Sequence, residues 1–530
     1  MRLASAEIIH KRLLGFLIWQ FLNSSAVFII FRALLLPLLA SSSPSPTLHG
    51  LLAFLPFNLA TLLFSLSLIA VSTPHYQPPA SPLELLIGLF RLLILSGDSS
   101  PEFRSRAKVS LGFLLVVTAS AISGSLAVAS ICWVDSDGVL VLGFRGFSIG
   151  FLYGLYFVYT RRWVLQFPII QRPAFFSFKM GVASAVSLAL KLACVAYLLS
   201  ALLVLALPDY PKGWMSFGKF RSGQLVFYFG SFAVIFCWEI SHHLHKILLT
   251  KRAIFAPPKG SAAAETNPSE PLIASLEESS PGSLLQYLAY LDMSLVCESN
   301  VDVWRRAALF EETGETYKTV VSLSLRPLEQ LASSISEVIE TTSFDKASQL
   351  SRQLQSTSDM QLSSKVHACF DNFQLHAWCA RTIASLTARS HDEDGFGVAQ
   401  LSGSNAATVS TLVSCLLAVE TFMGKKTHLQ NPRLLGAAGI KWATVNTGRQ
   451  ATTGIISRQR NVTVHSKAYA MADLLRTSIY SIVTAFHKEM LNGAKSGALD
   501  KDWIINTKPP YGTRDLLSQK LRLFLDYRAC

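Results

Sequence analysis

Residues 299–317 contain the kinds of side chains that an active site or a docking surface would use. Their sequence, SNVDVWRRAALFEETGETY, surrounds Arg305 and Arg306 with carboxylates and aromatic rings. The same spacing also fits the first packed helix of a soluble domain. In that helix the acids and bases pair along the surface and the two arginines face solvent, while Val303, Ala307 and Phe310 point inward. From the residues alone, the stretch is an active site, a docking surface or an ordinary amphipathic helix.

Two other groups contain residue types that bind metal ions. In EISHHLHK, Glu239 and His243 share a helix face, but the H-E-x-x-H spacing of zinc proteases is absent. Cys369, His376 and Cys379 also share a helix face, and their spacing matches no zinc finger or ribbon. A free cysteine is most often a small buried hydrophobe. We therefore expect no metal ion and no other cofactor.

Two further stretches resemble parts of enzyme motifs. Asp135 and Asp137 in DSDG could hold a divalent cation for glycosyl transfer, but residues of these types are also typical turn-formers. MGKKT at 423–427 resembles the end of a phosphate-binding loop, although Val419 occupies the position of the first glycine and a helix precedes the motif. Neither stretch is a complete enzyme motif.

The composition divides the chain into two halves. Of the 530 residues, half are hydrophobic and 15% are charged, against about 25% charged in ordinary soluble domains. Residues 1–255 contain 20 Lys and Arg against 8 Asp and Glu, whereas residues 256–530 contain 27 against 26. The positive charge therefore accompanies the apolar half. This favours contact with an anionic membrane surface and no direct binding of nucleic acid.

The apolar half contains six runs that approach the roughly 20 residues needed to cross a bilayer. We predict a six-span transmembrane domain over residues 1–255, with spans at about 13–31, 51–71, 109–133, 139–160, 180–207 and 225–240. The fourth span contains a charged residue and the sixth is short. Whether the sixth span crosses completely determines which side the second half occupies.

The basic residues indicate the orientation of these spans. Fifteen of them lie in the first, third, fifth and last segments outside the spans, and three lie in the alternate segments. Positive charge accumulates on the cytosolic side, so both termini are predicted to face the cytosol. The residues predicted to lie at this membrane interface are Lys11, Arg12, Arg104, Arg106, Lys108, Arg161 and Arg162.

Two features of this half leave alternatives open. Residues 83–96 are apolar but too short to span, which predicts an interfacial helix, a re-entrant hairpin or a buried packing helix. Lys191 lies near the middle of the fifth span, and charged residues inside spans are often functional. It is the main support for the alternative that the chain is a transporter. A lipid-modifying membrane enzyme is a further alternative.

The second half begins with a change of composition. Residues 256–283 are rich in Pro, Ser, Ala, Gly and Glu, which predicts a disordered linker. Residues 284–530 contain several amphipathic patterns with helical spacing and no convincing alternation of period two. We predict an all-α chain: a polytopic membrane domain, a disordered linker and an all-helical cytosolic domain.

One segment of the second half resembles a known family. YLAYLDMSLVCESNVDVWRRAALF, residues 287–310, resembles the start of the soluble domain in the nuclear-division-cycle family of transmembrane nucleoporins. The shared pattern contains Tyr287, Asp292, Arg305, Arg306 and Phe310. Six spans, cytosolic termini and a helical C-terminal half agree with that family. Residues 312–331 and the ending KLRLFLDYRA look most like its plant members.

The resemblance implies a structural role. Members of the family anchor the nuclear pore complex in the pore membrane of the nuclear envelope, support pore assembly and are not enzymes. The resemblance implies docking to inner-ring scaffold nucleoporins and a WD-repeat nucleoporin, and association with other pore-membrane proteins and anionic lipid headgroups. It makes the five residues of the shared pattern a candidate docking surface.

Overall fold

The chain is all-helical over the part that the computed structural model describes, which confirms the predicted fold class. The described residues are 2–39, 48–94, 101–132, 139–205, 217–258, 260–347, 365, 368–427 and 451–529. They form two compact units, Arg2–Arg252 and Ala253–Cys530. Asp135 and Asp137 lie outside the described residues.

Long apolar helices make up the N-terminal unit. A π-helical turn, Phe31–Leu35, joins α1 to α2. The helices are α1 Arg2–Ile30, α2 Leu36–Leu39, α3 Leu48–Val71, α4 Pro82–Ile94, α5 Pro101–Ile131, α6 Val139–Tyr159, α7 Ala174–Leu205 and α8 Phe217–Thr250. Each of the six predicted spans falls largely on one of the long helices α1, α3, α5, α6, α7 and α8. Helix α4 covers most of residues 83–96.

Glycine allows α5 and α6 to approach each other backbone to backbone. Gly146, Gly150 and Gly154 repeat every fourth residue along α6 and therefore share one face. A Cβ on Gly150 would lie 2.0 Å from the carbonyl oxygen of Ser120, and one on Gly146 would lie 2.4 Å from that of Gly124. Small residues at this spacing are typical of closely packed helices in membranes. Any side chain on this face would force the two helices apart.

The basic segments of the N-terminal unit lie at one end of it. Arg12 donates a hydrogen bond to the carbonyl oxygen of Leu249 at 3.1 Å, which joins the start of α1 to the end of α8. The backbone N–H of Leu165 donates to the carbonyl oxygen of Thr73 at 2.8 Å, which joins the loops after α3 and α6. The alternating charge pattern of the sequence therefore corresponds to one physical end of this unit.

Helices of 4 to 35 residues surround one central helix in the C-terminal unit. Its helices are α9 Ala262–Thr266, α10 Glu270–Glu278, α11 Leu284–Glu298, α12 Val303–Ala307, α13 Glu315–Ala347, α14 Phe373–Glu393, α15 Val398–Leu401, α16 Ser404–Thr427, α17 Ala451–Ala485, α18 His487–Ser496, α19 Leu499–Trp503 and α20 Arg514–Ala529. The central helix is α16, which packs against α13, α14, α17, α19 and α20.

Among the described residues, seven helices are candidates for crossing a membrane by length and hydropathy alone, and α16 is the seventh. Its polar side chains bind protein groups on more than one side. Cys415 Sγ approaches the carbonyl oxygen of Leu328 at 3.1 Å, and Ser414 Oγ donates to that of Tyr511 at 2.8 Å. These contacts are those of a helix in the core of a helical domain.

The predicted disordered linker differs from the structure. Within residues 256–283, α9 begins at a Ser261 cap and α10 buries Leu272 and Leu276. Ser269 Oγ donates to the carbonyl oxygen of Arg305 at 3.2 Å, which ties this stretch to the domain that follows. Two buried leucines on one short helix supply the apolar contact that the overall composition did not suggest.

Candidate functional site

The five predicted docking residues are buried, which contradicts their assignment to a docking surface. Arg305 and Arg306 are each 1% exposed. Tyr287, Asp292 and Phe310 are also buried. They lie in α11 and α12 and in the turn after α12, where they pack inside the C-terminal unit. They support the fold and present no surface to a partner.

Arg305 and Asp292 form a buried ion pair that also holds a piece of backbone. Arg305 Nη2 donates to Asp292 Oδ2 at 2.8 Å. Arg305 Nη2 also donates to the carbonyl oxygen of Phe255 at 3.0 Å, and the N–H of Phe255 donates to Asp292 Oδ2 at 3.0 Å. Buried charges are stable only when such partners satisfy them. The pair therefore clamps Phe255 by both of its backbone polar groups.

Arg306 ties two distant turns together. Its Nε and Nη2 atoms donate to the two carboxylate oxygens of Glu393 at 2.8 and 2.6 Å, in the bidentate geometry that suits a guanidinium. Its Nη1 atom donates to the carbonyl oxygen of Ser299 at 2.8 Å. The turn after α11 and the turn after α14 are therefore held side by side.

Burial reverses the expected faces of α12. The two arginines point inward, whereas Val303 and Ala307 are exposed. The sequence predicted the opposite orientation, with the arginines outward, because arginine is usually a surface residue. The sequence pattern could not show that Arg306 has a carboxylate partner inside the domain, since Glu393 lies 87 residues further along the chain.

Exposed apolar side chains surround the turns that Arg306 joins. Val301 is 82% exposed in the first turn. Phe396 and Leu401, which follow Glu393, are 59% and 87% exposed. Gly314, with φ +70°, lies against Val398 and brings the start of α13 to the same place. We group four of these exposed side chains, Val301, Val303, Phe396 and Leu401, as the apolar patch, because Arg306 holds the segment before α12 beside the end of α14. Sequence patterns missed this group because its members lie far apart in the chain.

Four of the predicted membrane-interface residues make defined contacts in the N-terminal unit besides that of Arg12. Lys11 pairs with Glu7 at 2.7 Å on the surface. Arg106 pairs with Glu84 at 2.9 Å. In the turn after α6, Arg161 lies over the ring of Tyr76 and Arg162 pairs with Glu239. Arg104 and Lys108 are exposed near the start of α5.

Among the described residues of the N-terminal unit, the most buried ion pair joins Arg162 to Glu239. The two terminal nitrogens of Arg162 donate to the carboxylate of Glu239 at 2.5 and 2.6 Å. Tyr153 Oη donates to the same carboxylate at 3.0 Å. These bonds use the carboxylate that the sequence offered as a metal ligand, and they link α6 to α8.

The histidines of EISHHLHK point to three different neighbours. His242 Nε2 lies 3.1 Å from the carbonyl oxygen of Arg162, and His243 Nε2 lies 3.2 Å from that of Ser177. His245 packs edge-on against Phe16. Within the described part of the chain, no group of three or more His, Cys, Asp or Glu side chains could hold a metal ion.

The Cys369, His376 and Cys379 group has the chemistry of a packed core. Burial raises the pKa of the Cys369 thiol to about 11 and lowers the pKa of His376 to about 4. Burial also raises the pKa of Cys379. Thiols held in the protonated form are poor metal ligands and poor nucleophiles.

The segment 423–427, which resembles the end of a phosphate-binding loop, lies at the C-terminal end of α16. The helix dipole is negative at this end and repels anions such as phosphate.

Helix α4 has an ordered start and an exposed apolar face. The N–H of Ser81 donates to Glu84 Oε2 at 2.9 Å, and the N–H of Glu84 donates to Ser81 Oγ at 3.2 Å. This reciprocal pair is a capping box. Leu83, Leu86 and Ile87 share one face and are exposed. The helix is therefore amphipathic, with Glu84 tied to Arg106 at the start of α5.

Lys191, the main support for a transporter, is exposed on α7. It does not face the neighbouring helices of the unit, where a substrate path between helices would run. The structure therefore offers this alternative no further support.

Part of the chain matches a known family. Residues 348–492 match the family model described as nucleoporin protein Ndc1-Nup. The matched region begins directly after α13, ends in α18 and lies beyond residues 287–310, so it is separate from the segment whose pattern resembles the family. No curated protein matches the chain. Together with the apolar helices of the N-terminal unit, this match over 145 of the 530 residues supports the Ndc1-type family of pore-membrane nucleoporins.

Proposed function

We propose that this chain anchors the nuclear pore complex in the pore membrane by docking soluble scaffold nucleoporins onto its C-terminal unit. The observation that carries the proposal is the division of the chain. One unit consists of helices long and apolar enough to cross a membrane, and the other is a packed helical domain within which most of the nucleoporin family match falls. This role requires no catalysis, and we propose that the chain is not an enzyme.

The apolar patch is the docking surface that the structure favours in place of the buried arginines. Its side chains are exposed. Arg306 fixes Ser299 and Glu393, which precede the two pairs of patch residues in the chain, and this favours a preorganised surface. Exposed apolar groups held by a rigid frame are typical of binding hot spots. We propose that inner-ring scaffold nucleoporins, and a WD-repeat nucleoporin, bind here.

Replacing Phe396 and Leu401 together by aspartate should reduce the capture of these partners. Hot-spot residues contribute about 2 kcal/mol or more, so we expect co-purified inner-ring nucleoporins to fall by at least about tenfold. Quantitative mass spectrometry of the tagged full-length chain measures this. The matched control is Tyr480→Asp with Leu523→Asp, two exposed apolar positions outside the patch. Equal capture by both double variants would refute the patch as the docking surface.

We further propose six spans with both termini on the cytosolic side, and α16 as a core helix of the second unit. The gathering of the basic segments at one end of the N-terminal unit supports this orientation. Asn461, in the sequon Asn461-Val462-Thr463, then faces the cytosol. If α16 crossed the membrane instead, Asn461 would lie in the lumen.

Glycosylation of Asn461 distinguishes the two topologies. We expect no endoglycosidase-sensitive mass in the wild-type chain expressed in a eukaryotic cell. The positive control is Trp214→Asn, which completes a sequon with Ser216 in the predicted lumenal loop 208–224 and should add one glycan. A glycan on Asn461 that Asn461→Gln removes would show that α16 spans the membrane.

Helix α4 is proposed to lie in the membrane interface and insert its apolar face into the curved leaflet of the pore membrane. Fully burying a leucine-sized side chain contributes about 1.5–3 kcal/mol. The three side chains together therefore give α4 a substantial free energy of binding to a lipid leaflet. Changing Leu83, Leu86 and Ile87 to serine should therefore shift a tagged chain from nuclear pores to the general nuclear membrane. The ratio of punctate to diffuse rim fluorescence measures the shift.

The control for α4 is the triple change of the same residues to methionine, which keeps the face apolar. It should retain pore enrichment. A serine variant as enriched at pores as the methionine variant would contradict an interfacial role of α4.

A further inference from the structure

A polar cavity lies in the N-terminal unit among the end of α6, the loop after it, α7 and α8. Its volume is about 300 Å³, far more than the roughly 10–15 Å³ that holds one water molecule. We propose that it binds the phosphate-bearing headgroup of an anionic glycerophospholipid. The inference rests on the proposed membrane role of this unit and adds a specific ligand to it.

The charge of the cavity favours an anion. Arg161, Arg162 and Lys246 line it, and Glu239 is the carboxylate that lines it. Arg162 takes both oxygens of Glu239, so this carboxylate neutralises the guanidinium nearest to it. Among the described residues, neither Arg161 nor Lys246 forms an ion pair with a carboxylate. Two positive charges therefore face the cavity uncompensated.

Both of these cations are held in place by neutral neighbours. Lys246 Nζ donates to Gln166 Oε1 at 3.1 Å. The Arg161 guanidinium lies 4.5 Å from the centre of the Tyr76 ring. Arg161 also has φ +55°, a left-handed backbone conformation that residues other than glycine rarely adopt. The contacts direct the cations without cancelling their charge, as a phosphate site requires.

The depth of the cavity agrees with a lipid headgroup. A helix rises 1.5 Å per residue, so about 20 residues counted from Gly223 cover the roughly 30 Å hydrocarbon core. His242, His243 and Lys246 follow directly and fall at the level of the headgroups. The cavity lies at the end of the N-terminal unit that carries the basic segments, and this end is proposed to face the cytosol.

The lining of the cavity also includes apolar side chains. They are those of Val164, Leu165, Ala185 and Leu188. On α7, Leu190 and Val186 are exposed on the outer surface, which lies against acyl chains in a bilayer. A molecule with a phosphate at one end and a hydrocarbon chain at the other contacts both the basic and the apolar lining residues, whereas a free phosphate contacts only the basic ones. This favours a phospholipid over a soluble anion.

The test is a titration of the purified full-length chain in neutral detergent. Dioctanoyl phosphatidic acid at a 100-fold excess over its Kd should raise the melting temperature of the N-terminal unit by about 5–10 °C. Dioctanoyl phosphatidylcholine at the same concentration should not. If inorganic phosphate gives the same shift, the site binds a free anion and the lipid assignment is wrong. If neither phosphatidic acid nor phosphate shifts the melting temperature, the proposal is overturned.

Variants assign the shift to the cavity. Arg161→Asn with Lys246→Gln should abolish it, since asparagine tolerates the left-handed backbone and glutamine keeps a polar partner for Gln166. The matched control removes two cations from the same end of the unit outside the cavity, Arg172→Gln with Lys179→Gln, and should retain the shift. Ala185→Leu fills the cavity without changing charge and should also abolish it.

Equal shifts in the cavity and control double variants would overturn the proposal, as would a retained shift in Ala185→Leu. These readouts do not depend on the anchor role. A chain that binds no lipid but remains at the nuclear rim would refute the lipid site alone. A chain that binds lipid in detergent but is absent from the rim would refute the anchor role alone.

Discussion

Replacing Gly150 with leucine should separate α5 from α6 and destabilise the N-terminal unit. The first side-chain carbon would lie 2.0 Å from the carbonyl oxygen of Ser120 and 2.9 Å from Cα of Ala121, both backbone atoms that cannot move alone. Overpacking a tight interface costs about 1–3 kcal/mol, and forcing two backbones apart lies at the upper end of this range. Gly150→Ala should show the same effect to a smaller degree.

The measurement is the fraction of full-length chain that stays monodisperse in detergent after stepwise heating. Gly15→Leu is the matched control, because Gly15 also lies in a long apolar helix but has open space at its Cβ position. It adds the same apolar bulk and should leave the heating curve unchanged. If Gly150→Leu and Gly15→Leu gave the same curve, α5 and α6 would not be in backbone contact.

Removing Arg305 should have a comparably large effect on the C-terminal unit. Arg305→Met leaves Asp292 as a buried charge without its cation and leaves the carbonyl group of Phe255 without its donor. Breaking one member of a buried ion pair costs about 3–5 kcal/mol. Hydrogen exchange of the amides in α11 should then accelerate by at least about 100-fold, because the segment opens more often.

Two variants test the cause of that acceleration. Lys318→Met breaks the exposed pair with Glu315, and such surface pairs contribute about 0–1 kcal/mol, so exchange should barely change. Asp292→Leu combined with Arg305→Met removes both buried charges and should restore part of the stability. The stability that this double variant does not recover measures the contribution of the two hydrogen bonds to the backbone of Phe255. Exchange in Arg305→Met no faster than in Lys318→Met would contradict a structural role for the pair.

The fold class and the long membrane helices could be predicted from the sequence because their signal is local. An uninterrupted apolar run near 20 residues long has few alternatives to a helix in a bilayer. A closely packed face of α6 also has a local signal in the sequence, since Gly146, Gly150 and Gly154 recur at intervals of four. That repeat indicates a helix interface but does not name the partner helix.

The candidate site could not be predicted because its contacts join residues far apart in the chain. Arg306 is a surface residue by periodicity and a core residue by its pairing with Glu393. The sequence showed Glu239 beside histidines at a spacing for which we expected no metal ion, but it could not show that the partner of this carboxylate is Arg162, 77 residues away. The segment 256–283 was misread for the same reason, since Leu272 and Leu276 are buried by the domain that follows.

The way in which Phe255 is held has a mechanical consequence for the proposed anchor role. A disordered tether of 28 residues would extend under tension. Instead, the N–H of Arg252 is held by Gln171 and both backbone groups of Phe255 are held by Arg305 and Asp292. Only two residues, Ala253 and Ile254, remain between the held positions. The stretch of chain that follows α8 therefore has little length to extend under load.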